Sequence, residues 1–267
     1  MDFLSSIFAS SSEYFISFFQ NLSVAGIFLA LVFGAFWLIF FNPPFFKLYW
    51  LWIVLIAGAL ITIICMSFVQ SPLQTAIGKL FYSNWTEEQL MKGILFTSIP
   101  TLLIAGLVSE GAKLIPVIAY WWRKEKKIDP KFAMVVGAVA GAGFGIMEAQ
   151  SLHNSLFAMG WTWASVDTAG FSAILPFIER FFIVGFNIAM TAAAAYGLAK
   201  GFGWQYYLLV SFIHALMNYL TILFQIQLLS LVLVETLMGM IAVASFIISM
   251  WLLKRKEPKP LPAKAVK

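Results

Sequence analysis

Charge is what this sequence has least of: Asp, Glu, Lys and Arg make up 11% of its residues, against roughly 25% in ordinary soluble domains. With 61% of the residues hydrophobic and 17% aromatic, a water-soluble fold would lack the polar surface to cover itself, so the bilayer is the expected solvent. Cysteine is nearly missing as well. The one residue, Cys65, lies in an apolar run without a partner, which excludes an intrachain disulfide and leaves a small packed hydrophobe. No internal repeat of fixed period is found, which weighs against the repeat-built transporter folds. The start, Met1-Asp2-Phe3, has no basic n-region, and the apolar run that follows is a full span, so no cleaved leader is expected. The net charge of +5 comes from residues at span ends, outside any nucleic-acid motif. Anionic lipid headgroups are the expected partner, and nucleic acid is not.

What the chain has is length of apolar run. A spanning helix takes about 20 mostly apolar residues, and segments 22–41, 48–69, 93–122, 132–158, 171–199, 205–225 and 228–253 meet that need. Residues 3–19 and 72–92 mix apolar and polar side chains and read as interfacial helices. The expected fold is therefore all-α, a polytopic transmembrane bundle of about seven spans. Its parts are an interfacial segment 1–21, a membrane domain 22–253 with a site core at 93–225, and a basic tail 254–267. Thirteen Lys and Arg fall on the side of the C-terminus, and only Lys79 and Lys92 on the other. The positive-inside rule then gives N-out and C-in, with a cytoplasmic tail, in a prokaryotic plasma membrane. Span four carries Gly137, Gly141 and Gly145, a small-residue stripe that lets a neighbouring helix come close and makes this span central.

Ionisable groups inside spans each require a physical account, since a charge at the bilayer centre costs about 2.5–3.5 kcal/mol even on lenient scales. They are Glu110 and Lys113, Glu148 and His153, Glu179 and Arg180, His214, and Glu235. At 1.5 Å per residue, Glu110, Glu148, Asn187 and His214 lie about 15–24 Å from the inner ends of their spans, in one slab where they can share a cavity. Glu110 and Lys113 are i and i+3 and can pair. His214 and Asn218 are i and i+4 and point the same way. Glu148 sits on the glycine-rich span, where close packing provides the desolvation that fits a carboxylate for general acid–base work. Glu179 and Arg180, about 100° apart on their helix, are expected to seek partners elsewhere, with Arg180 reaching a carboxylate on another span. His153 and Glu235, nearer span ends, are expected to snorkel to the interface.

Hydrolysis of a peptide bond inside lipid is one chemistry that needs such groups. No His-Glu-x-x-His, no Gly-x-Ser-Gly and no intraspan aspartate is present, which removes zincin-like, rhomboid-like and presenilin-like sites. Glutamate and histidine remain.

The ordered set Ser109-Glu110-Gly111-Ala112-Lys113, Phe144-Gly145-Ile146-Met147-Glu148, Glu179-Arg180 and His214-Ala215-Leu216-Met217-Asn218 resembles the PrsW and YhfC group of intramembrane metalloproteases, within the wider CAAX-protease-like superfamily. The resemblance covers about residues 93–225. It implies hydrolysis of a membrane protein or peptide by glutamate-activated water, with Glu110, Glu148, His214 and Asn218 catalytic and Lys113, Arg180 and Asn187 supporting. In a metal version Glu110, Glu148 and His214 would ligate Zn2+ and leave one position for water. In a metal-free version one glutamate is the base, and His214 and Asn218 donate to the oxyanion. Ser109 stands where the family has a first glutamate, and Asn187 where many relatives have histidine. A non-catalytic scaffold or substrate-binding relative, and a small-solute or proton transporter, are the alternative functions.

Overall fold

The computed structural model describes residues 15–16, 18–20 and 22–255. Among them seven helical segments are long and apolar enough to cross a membrane and no strand forms, so the chain is an all-α, polytopic integral membrane protein. The helices are α1 (Val24–Leu38), α2 (Trp50–Cys65), α3 (Ser71–Tyr82), α4 (Glu87–Lys92), α5 (Ile94–Thr97), α6 (Ile99–Arg123), α7 (Pro130–Ala158), α8 (Trp163–Ala169), α9 (Leu175–Ala199), α10 (Gly203–Gln225) and α11 (Leu231–Lys254). Several starts are written locally. Ser23, Asp129 and Ser230 each accept a backbone N–H of the first turn of α1, α7 and α11, and Pro130 follows Asp129 where a missing amide costs nothing.

The boundaries depart from expectation in one region. Residues 72–92 do not form one interfacial helix: α2 runs on through a π-turn, Met66–Gln70, into α3, and a separate α4 follows. The physical reason is that a π-turn absorbs one extra residue without breaking the backbone ladder, so the polar turn at Gln70 does not end the helix. Most of the proposed 1–21 segment, and tail residues 256–267, lie outside the described residues.

Helices α7 and α9 form the centre of the bundle. Every residue from Ala133 to Gly145 in α7 and from Ile183 to Gly197 in α9 is buried. Glycine is what lets them meet: a methyl group on Gly141 would stand 2.5 Å from the carbonyl oxygen of Asn187. The opposite edge of α7 is equally close to α2, where a methyl group on Gly143 would collide with the carbonyl oxygen of Leu55. Helices α1 and α2 flank α7, α11 lies along α9, and α6 and α10 pack together against this core. Large apolar residues such as Phe28, Ile53, Phe212 and Ile248 point outward, the surface a bilayer covers.

The helix ends define two faces. One carries the 124–129 loop, residues 200–202 and the end of α11, with most of the basic residues; the other carries the 159–174 and 226–230 connections.

Candidate functional site

The helices bring together Glu110 and Lys113 from α6, Glu148 from α7, Arg180 and Asn187 from α9 and His214 from α10. Lys113 is the hub. Its Nζ donates to Oε1 of Glu110 and to Oδ1 of Asn187, both at 2.5 Å, and lies 3.5 Å from Nδ1 of His214. The ring of Phe144 sits 4.7 Å from the same ammonium. Glu110, Lys113 and Asn187 are completely buried, so this cation is held by one carboxylate, one amide oxygen and one aromatic face.

His214 closes the group: its Nδ1 lies 2.8 Å from Oε1 of Glu110. A carboxylate only accepts, so the Nδ1 proton belongs to that bond. Oε1 of Glu110 thus serves both partners, while Oε2 is buried with no hydrogen-bond partner. With no protein group bonded to it, Oε2 is the carboxylate oxygen open to a hydrogen bond from water or substrate.

From Asn187 the polar contacts continue toward the face opposite the basic loops. Asn187 Nδ2 donates to Oε2 of Glu148 at 2.8 Å, and Nη1 of Arg180 lies 4.0 Å from Oε1 of Glu148. Arg180 also pairs with Glu179, and the side chains of Arg180, Glu148 and Glu179 keep 16–19% exposure. The polar groups therefore descend from partly exposed to fully buried. By helical rise, Glu179, Arg180 and Glu235 lie about 6–8 Å inside that face, and Glu148, Asn187 and His214 about 15–18 Å. Beyond Asn187, toward the basic face, α7 and α9 are closed by glycine and alanine.

Several expectations require correction. Asn218, one turn from His214, is half-buried and takes no part in these contacts. Glu179 and Arg180 do pair directly despite adjacency, because two long side chains can converge across the 100° between them. Arg180 also reaches Glu148 on a second helix, as expected of it. His153 does not snorkel: it is wholly buried, its Nδ1 is 3.1 Å from the carbonyl oxygen of Gly26, and its ring stacks on Phe177. Packing against the rings of Phe33 and Phe177 holds it inside.

The proposed metal set fits poorly. Among the described residues no three His, Cys, Asp or Glu side chains group closely enough to hold an ion. Glu110 and His214 are bonded to each other, Glu148 is directed to Asn187 and Arg180, and the Lys113 ammonium stands among the donors a metal would use. A second cation there would meet repulsion rather than ligands.

Gln70 was not singled out from the sequence. Ser109, buried beside Glu110, donates to Oε1 of Gln70 at 3.2 Å, so the π-turn delivers Gln70 to the edge of the site. The signal was present as a polar residue just past an apolar run, but an unbroken helix through it is not readable from composition. Comparison with protein-family models, with curated proteins and with solved structures finds no match to this chain.

Proposed function

We propose that the protein is an intramembrane peptidase, hydrolysing a peptide bond of a membrane protein or peptide with water activated by Glu110. The observation that carries this reading is the buried, unpartnered Oε2 of Glu110 beside an Oε1 held by Lys113 and His214. Water at Oε2 gives up a proton to the carboxylate as its oxygen attacks the scissile carbonyl carbon. Negative charge gathers on the carbonyl oxygen, and the Lys113 ammonium is the cation at hand to stabilise it. Glu110 then returns the proton to the amide nitrogen as the C–N bond breaks, so no co-reactant is needed. Glu148 and Asn187 act through Lys113 by fixing its position.

Polar groups reach from one face to mid-depth, where a peptide bond would be met, and the lack of an internal repeat of fixed period weighs against the transporter reading. A non-catalytic subunit is the second reading, favoured by Ser109, which with Gln70 forms a neutral pair where the resemblance expects an acid.

The test is proteolysis by purified protein in liposomes made in 18O-labelled water. Hydrolysis places the heavy oxygen in the new C-terminal carboxyl group of a membrane peptide. Stable capture of peptides with no cut product would move the assignment to the non-catalytic reading. We further propose that the basic face is cytoplasmic in a prokaryotic plasma membrane, and membrane-impermeant labelling of single cysteines at positions 126 and 161 in a Cys65→Ala background distinguishes the two orientations.

A further inference from the structure

A groove on the membrane-facing surface lies between α9 and α11. It has a volume of about 630 Å³ and walls that include Ile178, Phe182, Met240, Val243 and Ile247. Apolar along its length, it carries one carboxylate, Glu235, at the end near the face where polar groups begin. Glu235 makes no hydrogen bond or salt bridge among the described residues. It interacts at longer range with Glu179 and Arg180, which leads on to Glu148 and the buried site.

Charge decides what fits. Glu235 lines the groove, and behind it Glu148 and Glu179 share a single guanidinium, that of Arg180, so acidic groups outnumber basic ones at this end. Anionic glycerophospholipids bring net negative charge, which these carboxyl groups disfavour, and zwitterionic ones bring an ammonium already tied to its own phosphate. A lysine or arginine on an apolar peptide brings positive charge alone, and its long stem lets the charge rest at the interfacial level while the segment stays in lipid.

We infer that the α9–α11 groove docks an apolar peptide segment bearing a basic residue that pairs with Glu235. This inference names the substrate class of the proposed peptidase and rests on that reading for its purpose. It can be tested by binding alone.

The probe is a synthetic apolar helical peptide with one lysine placed a turn or two inside the end that meets this face, reconstituted with the full-length protein in phosphatidylcholine vesicles. A photoreactive amino acid at position 243 reports docking. The expected result is crosslinking that falls at least tenfold when the peptide lysine becomes leucine, and likewise in Glu235→Gln. Gly239→Leu fills the groove: Gly239 lines it, the nearest neighbour of a Cβ there is the Phe182 ring at 3.6 Å, an ordinary contact, and leucine is the better helix former. It should abolish crosslinking without loss of folded protein. Glu235→Lys should transfer the preference to a peptide carrying glutamate. Crosslinking indifferent to the peptide charge and to Glu235, or crosslinks to lipid that the peptide does not displace, would overturn the proposal. Docking without any cleavage would leave the groove standing and remove the peptidase reading instead.

Discussion

Nδ1 of His214 and Oε1 of Glu110 lie 2.8 Å apart although 104 positions separate them in sequence. This contact fastens α10 to α6 at mid-depth in the bundle, and with Lys113 it makes a group in which each charge depends on the others. Consequences for stability follow directly.

Truncation of Lys113 to alanine leaves the Glu110 carboxylate buried without its cation, a loss of about 3–5 kcal/mol. The double variant Glu110→Gln with Lys113→Met removes both charges and should be clearly more stable than Lys113→Ala. Thermal unfolding in detergent compares the three. Parent-like stability of Lys113→Ala would mean that the buried pair does not form.

Glu148 is expected to act by position rather than as the base. Glu148→Leu frees the Asn187 amide, and the weakened hold on Lys113 forfeits about 1.5–3 kcal/mol of charged hydrogen bonding, roughly ten- to hundredfold in kcat with KM little changed. Glu148→Gln keeps an oxygen for Asn187 and should retain most activity. Complete loss in Glu148→Gln would transfer the base role to Glu148.

Gly143→Ala forces a methyl group onto the carbonyl oxygen of Leu55 and should destabilise the bundle by about 1–3 kcal/mol. At Gly78 an added methyl group meets nothing within 4 Å, so Gly78→Ala should be neutral or slightly stabilising. Denaturant titration of the two variants measures the difference, and equal behaviour would argue against the α2–α7 approach described.

Much of this was legible in advance. Apolar run length gave the seven spans, and the glycine spacing marked α7 as the helix that others approach closely. The i, i+3 spacing of Glu110 and Lys113 gave their pairing, and helical rise put Glu110, Glu148, Asn187 and His214 in one slab. What periodicity does not carry is azimuth between helices. That is why the spacing of His214 and Asn218 suggested a shared role although Asn218 stays apart. It is also why Gln70 was overlooked, since a π-turn rotates the following residues by an amount no fixed period contains. The position of Lys113 among the intended metal donors is likewise a property of three helices together.

Metal analysis bears on the donor arrangement. The purified protein is expected to hold no stoichiometric zinc and to keep its activity in chelator, because Lys113 already supplies the positive charge. One zinc per chain, lost in His214→Ala, would contradict that expectation.

The most direct measurement is the cleavage rate of Glu110→Gln beside that of the parent, on a membrane peptide the parent cuts, with both proteins folded to the same extent by size-exclusion profile. Loss of a general base predicts a fall of about 100- to 10,000-fold. A rate within a few fold of the parent would show that Glu110 is not the group that activates water.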